Sequence, residues 1–226
     1  MSEARGPVAI MNQVPEASAK VRGESPLHHV DLANMASLLT QAAGVIFQEL
    51  GLQGHLTLRC QPDDTQLTNI AHQILGVALP LCPLTSVEGA DVVIRWIAPD
   101  EWLISLPNDK VFELEARFRA EMTGHYSLVN VSGGMTVFIL SGEHVVDVLK
   151  KSTPVDVHEH VFPVGKVVST VFAKSSAVIR RLGPQEFELV VRRSFADYLW
   201  LWLQSASQEF GLAIADAGDL TLWRQS

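Results

Sequence analysis

The 226 residues are 47% hydrophobic, enough for one sizeable domain or two small ones to bury a core. With 17 Lys and Arg against 25 Asp and Glu, the net charge of −8 disfavours general attraction to nucleic-acid phosphates or to anionic lipid. No apolar run approaches the roughly 20 residues that a spanning helix needs. Two cysteines, Cys60 and Cys82, lie far apart and suggest neither a disulfide framework nor a cysteine zinc site; they fit buried thiols in a reducing, cytoplasmic setting.

Residues 1–24 mix acids, prolines and small residues, and lack the basic start and apolar block of a signal or transit peptide. They are expected to form a flexible arm. Asp31 caps an expected helix over 31–50, and HLTLRC (55–60) alternates as a half-buried strand. A helix over 66–76 ends on Gly76, and VVIRWIAPDEWLISLP (92–107) predicts two strands turning at 98–101. A charged helix over 108–122 closes the first half, with an approximate boundary near 124.

The second half predicts strands at 125–131 and 135–140 around Ser132-Gly133-Gly134, and a helix at 143–151 ending in Lys150 and Lys151. Strands at 166–173, 177–182 and 187–193 follow, then a helix starting at Ser194. This order predicts an α+β fold with mixed, largely antiparallel sheets over 25–210, in two packed halves, followed by a tail at 211–226. In the last helix a step of about 100° per residue gathers Phe195, Leu199, Trp202, Ala206 and Phe210 on a core face. Trp200 and Leu201 fall beside Asp197, Gln204 and Gln208; core packing on a wide stripe is the simpler reading, and a partner surface that they would anchor is the other.

Asp156, His158 and His160 alternate in VDVHEHVFPVGK (155–166) and would share a face in a strand, as metal ligands do, but a base and further ligands are missing. Ser132-Gly133-Gly134 lacks the phosphate-loop and nucleophile-elbow patterns and is read as a tight turn. The pairs Arg180-Arg181 and Arg192-Arg193 are expected at solvated strand edges, or against an acidic partner or a ligand carboxylate.

Five segments together, SPLHH (25–29), APDEWLISLP (98–107), VNVSGGMTVFILSG (129–142), PVDVHEHVFPVGK (154–166) and RRSFADYLWLWL (192–203), resemble the gamma subunit of heterotetrameric sarcosine oxidase. The resemblance implies a fold similar to the folate-binding domain of the glycine-cleavage T-protein, an aminomethyltransferase. It implies a noncatalytic structural subunit of a complex that oxidatively demethylates sarcosine to glycine, with alpha, beta and delta subunits as partners. FAD, FMN, NAD, tetrahydrofolate and zinc are then expected on those partners, and no catalytic, cofactor or metal residue on this chain. Its partner surface is expected to include Trp200, Leu201, Arg192 and Arg193. A stand-alone folate-binding or one-carbon-transfer protein is the alternative, and a metal enzyme built on Asp156, His158 and His160 a further one.

Overall fold

A computed structural model describes residues 23–38 and 43–215. In chain order it forms α1 (Leu32–Leu38), β1 (Val45–Glu49), β2 (Gln53–Cys60), α2 (Thr65–Leu75), β3 (Ser86–Glu88), β4 (Val93–Ala98), β5 (Glu101–Pro107) and α3 (Val111–Glu121). Then come β6 (Tyr126–Asn130), β7 (Met135–Ser141), α4 (Val145–Ser152), β8 (Val167–Phe172), β9 (Ser175–Gly183), β10 (Glu186–Arg192), α5 (Ala196–Ala206) and β11 (Leu212–Ile214). Local chemistry explains the clearest boundaries. The Asp64 carboxylate accepts from the Gln66 and Leu67 amides at the start of α2, and Gly76 ends that helix at φ 74°, where a side chain would be strained.

Two sheets result. One has the order β11-β1-β7-β10-β9-β8, antiparallel except where β1 and β11 run parallel; the other, β3-β4-β5-β2-β6, is antiparallel throughout. Period-two alternation gives each sheet two faces. Leu56, Leu58, Trp102 and Ile104 pack with Leu67, Ile74 and Phe118 of α2 and α3. Phe47, Phe138, Phe187 and Leu189 pack with Val148, Leu149, Leu199 and Leu203 of α4 and α5. Between the sheets a smaller cluster joins Val93 and Leu103 to Val137, Ile139 and Val190. The order of layers is helices, sheet, sheet, helices, within the expected α+β class.

The expected helix over 31–50 is not continuous. Among the described residues of that span Leu32–Leu38 is helical, and Val45–Glu49 is a strand held between β7 and β11. Val45, Ile46 and Phe47 suit a pleated, largely buried position better than a helix, and apolar density alone did not separate the two. A break precedes them, where the Gly44 amide donates to the Phe210 carbonyl at 2.8 Å. Gly142, at φ 114°, passes so close that a Cβ there would lie 2.5 Å from the Gly44 carbonyl oxygen.

The halves also divide differently. The chain crosses between sheets at the Ser132–Gly134 turn rather than near 124, and β1 from the first half belongs to the sheet of the second. β11 continues that sheet past residue 210, while residues 1–22 of the expected arm and 216–226 of the expected tail lie outside the described residues.

In α5 the core stripe is rotated from the expected one. Ala196, Leu199, Trp200, Leu203 and Ala206 are buried, and Phe195 is 43% exposed. Trp200 is only 3% exposed, its ring 5.0 Å from that of Phe47. It is therefore a core residue and not part of a partner surface: β1, unseen as a strand, supplies the aromatic it packs on. Trp202 sits at the margin and donates its indole N–H to Ser152 Oγ at 3.0 Å. Leu201 faces outward, 56% exposed.

Trp200→Ala is expected to destabilise the isolated chain by about 3–5 kcal/mol, and Leu201→Ala by no more than about 0.5 kcal/mol. Urea denaturation of the two variants checks the assignment; equal costs would contradict it.

Candidate functional site

The strongest concentration of charge lies between the sheets. Alternation along β4 sends Ile94 and Trp96 toward α2 and α3, and turns Arg95 toward the other sheet; along β10 it sends Phe187 and Leu189 to α4 and α5, and turns Glu188 inward. Both side chains are fully buried. Arg95 grips the Glu188 carboxylate with two hydrogen bonds, Nε to Oε1 at 2.6 Å and Nη2 to Oε2 at 2.8 Å. Arg180 of β9 donates to the same oxygens at 3.3 and 3.1 Å, and reaches Glu88 of β3 at 2.5 Å. A polar chain continues from Arg95 Nη1 to Ser105 Oγ at 2.7 Å, and from Ser105 to His55 Nδ1 at 2.9 Å.

Two guanidinium groups thus face two carboxylates, so the cluster carries no net charge. Burial would raise the Glu188 carboxyl, but Arg95 and Arg180 outweigh it and hold it at about 2. Burial, reinforced by the Arg95 charge, pushes the His55 imidazole down to about 3. Glu188 is therefore an anion with its oxygens occupied, and His55 a neutral ring bonded to a hydroxyl. This arrangement fixes one sheet against the other; neither group is placed to exchange protons with a substrate.

Arg180 and Arg181 are buried, against the expectation of solvated strand edges, because two adjacent strand residues face opposite sides and each side here has an acceptor set. Arg181 points to the helix-covered side, its guanidinium 5.1 Å from the Phe187 ring. It donates to the carbonyls of Gly183 (3.1 Å) and Pro184 (2.5 Å) in the β9–β10 turn and to that of Phe162 (3.0 Å), so it ties that turn to the loop that follows α4. That loop contains Asp156, His158 and His160, and it is not a strand. The Asp156 carboxylate accepts from the His158 amide at 2.9 Å, and the two imidazoles lie 5.1 Å apart. Among the described residues no group of three His, Cys, Asp or Glu is arranged to hold a metal.

Ser132 is bonded within its turn. Its hydroxyl donates to Asn130 Oδ1 at 2.7 Å and accepts from the His55 amide at 2.9 Å. His29 and His144 pair instead with Asp197 (3.0 Å) and Asp147 (3.1 Å). Burial, followed by the Asp64 and Asp100 charges, pushes the Cys60 thiol up to about 11, away from thiolate chemistry.

The four residues expected at a partner surface are not alike. Trp200 is in the core, Leu201 and Arg192 are exposed, and Arg193 donates to the Glu24 carbonyl. Beside Arg193, Glu49 accepts from Ser25 Oγ and, at 3.0 Å, from Thr136 Oγ1; burial raises its carboxyl, against the pull of those hydroxyls and of Arg193. Arg193 and Glu49 together pin the segment that enters the domain. The sequence signal for Arg95 and Glu188 was a charge at core parity within VVIRWI and FELVV, and only knowledge of the facing sheet turns that signal into a pair.

Residues 59–209 match the model of the sarcosine oxidase, gamma subunit family. A sarcosine oxidase subunit gamma from Corynebacterium sp. strain P-1 is 30% identical over 197 residues, covering 85% of this chain and 93% of the relative. In the structure of heterotetrameric sarcosine oxidase from Corynebacterium sp. U-96 in complex with pyrrole 2-carboxylate, one chain is 25% identical with a TM-score of 0.74, over 86% of this chain and 99% of that one. An aminomethyltransferase T of the glycine cleavage system from Bartonella henselae shares the fold, at 13% identity and a TM-score of 0.58, over 84% of this chain and 51% of that one.

Removing Glu188 leaves the buried Arg95 without a carboxylate and Arg180 with Glu88 alone, so Glu188→Ala is expected to cost about 3–5 kcal/mol in urea denaturation. His55 and Glu188 both have depressed folded values, so the stability they support is present at neutral pH. It is lost as pH falls from about 6.5 toward 3 for His55 and from about 4.5 toward 2 for Glu188. One proton limits the His55 slope to about 1.4 kcal/mol per pH unit. Denaturation at pH 7.5, 6 and 5 should show this loss in the wild type and a smaller one in His55→Gln; identical slopes would contradict the assignment.

Proposed function

The chain belongs to the sarcosine oxidase gamma subunit family, and from that membership we propose that it is a noncatalytic structural and assembly subunit of a heterotetrameric sarcosine oxidase. The observation that carries the proposal is the likeness to a chain of the heterotetrameric enzyme over 99% of that chain. The complex would oxidatively demethylate sarcosine to glycine in the cytoplasm, with alpha, beta and delta subunits as the other chains. FAD, FMN, NAD, tetrahydrofolate and zinc would reside on those partners.

The interior supports a structural role. Its most strongly perturbed groups, Glu188 and His55, are occupied in holding the sheets together. Leu201 and Arg192 supply an apolar contact and a guanidinium for a partner, with Arg193 ordering the segment beside them. The alternative of a stand-alone folate-binding protein has only the aminomethyltransferase fold behind it, and a fold does not carry an activity.

Co-expression of the alpha, beta and delta subunits with and without this chain tests the proposal: the complete, active complex should form only with it. A fully assembled active complex lacking the chain would overturn the role. Leu201→Asp is expected to weaken assembly at least about tenfold, roughly 1.4 kcal/mol, while leaving the unfolding midpoint of the isolated chain in place. Unchanged assembly would remove Leu201 from the interface.

A further inference from the structure

β8 is the outermost strand of the six-stranded sheet. Its residues, Val167-Val168-Ser169-Thr170-Val171-Phe172, include no charge and no proline. Its register with β9 runs unbroken from Val167 opposite Arg180 to Phe172 opposite Ser175, without a bulge. Soluble proteins ordinarily disarm such an edge with a charge, a proline, a bulge or a covering element, because its free amides and carbonyls template pairing with another chain.

The free groups can be identified by parity. In an antiparallel pair, alternate residues turn their N–H and C=O toward the same neighbour. The Val167 amide donates to the Leu84 carbonyl at 2.9 Å, away from β9. Ser169 and Val171 therefore also turn their backbone groups outward, and among the described residues no hydrogen bond reaches them. Both side chains are exposed, Val171 by 47%.

We propose that the outer edge of β8 receives an extended strand from another subunit of the complex, through the backbone of Ser169 and Val171. The inference rests on the assembly proposed above. Charge identifies the kind of strand. Lys174 stands exposed just past the strand, while Lys166 at the other end is bridged by Thr85 and donates its ammonium to the Val161 carbonyl, so the matching segment is uncharged along its centre and carries a carboxylate at the end that passes Lys174. That covered end acts against a second copy of this chain. Antiparallel self-pairing that sets Ser169 opposite the partner's Val171 also sets the partner's Lys174 opposite Lys166, a place on the edge that Thr85 already fills. β6, the other long open edge, has no Lys, Arg, Asp or Glu within two residues of either end to select a partner.

Residue-resolved hydrogen exchange on the isolated full chain and on the co-expressed heterotetramer tests this. The Ser169 and Val171 amides should exchange at least about 100-fold more slowly in the complex than in the isolated chain. Ser169→Pro removes an outward amide that the β9 ladder does not use, and should weaken assembly at least about tenfold with an unchanged unfolding midpoint; Val171→Lys serves the same purpose if the proline variant does not fold. Lys174→Glu should weaken assembly severalfold at low salt.

A complex that forms while those amides exchange as in the isolated chain would overturn the strand proposal and leave the proposed subunit role standing. Absence of any complex would overturn both. Protection that appears in the isolated chain as its concentration rises, together with dimeric mass, would make a second copy the occupant and also overturn it.

Discussion

Glu188 is the point through which the two sheets are tied. Its carboxylate lies on the first sheet, and the four hydrogen bonds it accepts come from Arg95 of the other sheet and Arg180 of its own. Because no water is left to solvate these charges, a shift of either sheet by one residue would leave a guanidinium or a carboxylate without a partner, at a cost of several kcal/mol. Apolar contacts between Val93, Leu103, Val137 and Val190 supply burial at the same interface, but they would tolerate sliding. The ionic cluster therefore sets alignment, while the helix-covered outer faces contribute most of the buried apolar surface.

That division explains how much was legible in the sequence. Segments such as HLTLRC and VVIRWI read as strands, and the turn at 98–101 and Gly76 bound their elements by local chemistry. The helix expected over 31–50 failed at Val45–Glu49 because a buried run flanked by glycine reads the same way in a strand or a helix, and distant β7 and β11 decide between them. The consequence reached α5: without β1 there was no Phe47 for Trp200 to pack against, and the residue was placed on the wrong side of its helix. Adjacent arginines at 180 and 181 misled for a related reason, since part of each partner set, Glu88 for Arg180 and the Phe162 carbonyl for Arg181, lies 92 and 19 residues away along the chain.

The surface follows a different logic from the interior. The charges buried between the sheets answer one another, whereas Leu201, Arg192 and the uncharged edge of β8 are presented outward from rigidly held elements. What the proposed role asks for is shape, kept in place by contacts such as buried Arg181 with the Phe162 carbonyl and Arg193 with the entering segment. Membership of the gamma subunit family and a fold shared with an aminomethyltransferase are compatible on these terms, since a shared framework does not carry an activity.

The most direct test of the account is the native mass of the tagged chain purified at low salt from its own cells, with flavin absorbance read on the same fraction. The account predicts a yellow, multi-subunit species of much greater mass than the 24.8 kDa chain. A colourless monomer or homodimer, recovered while the partner subunits are present in the same cells, would contradict it.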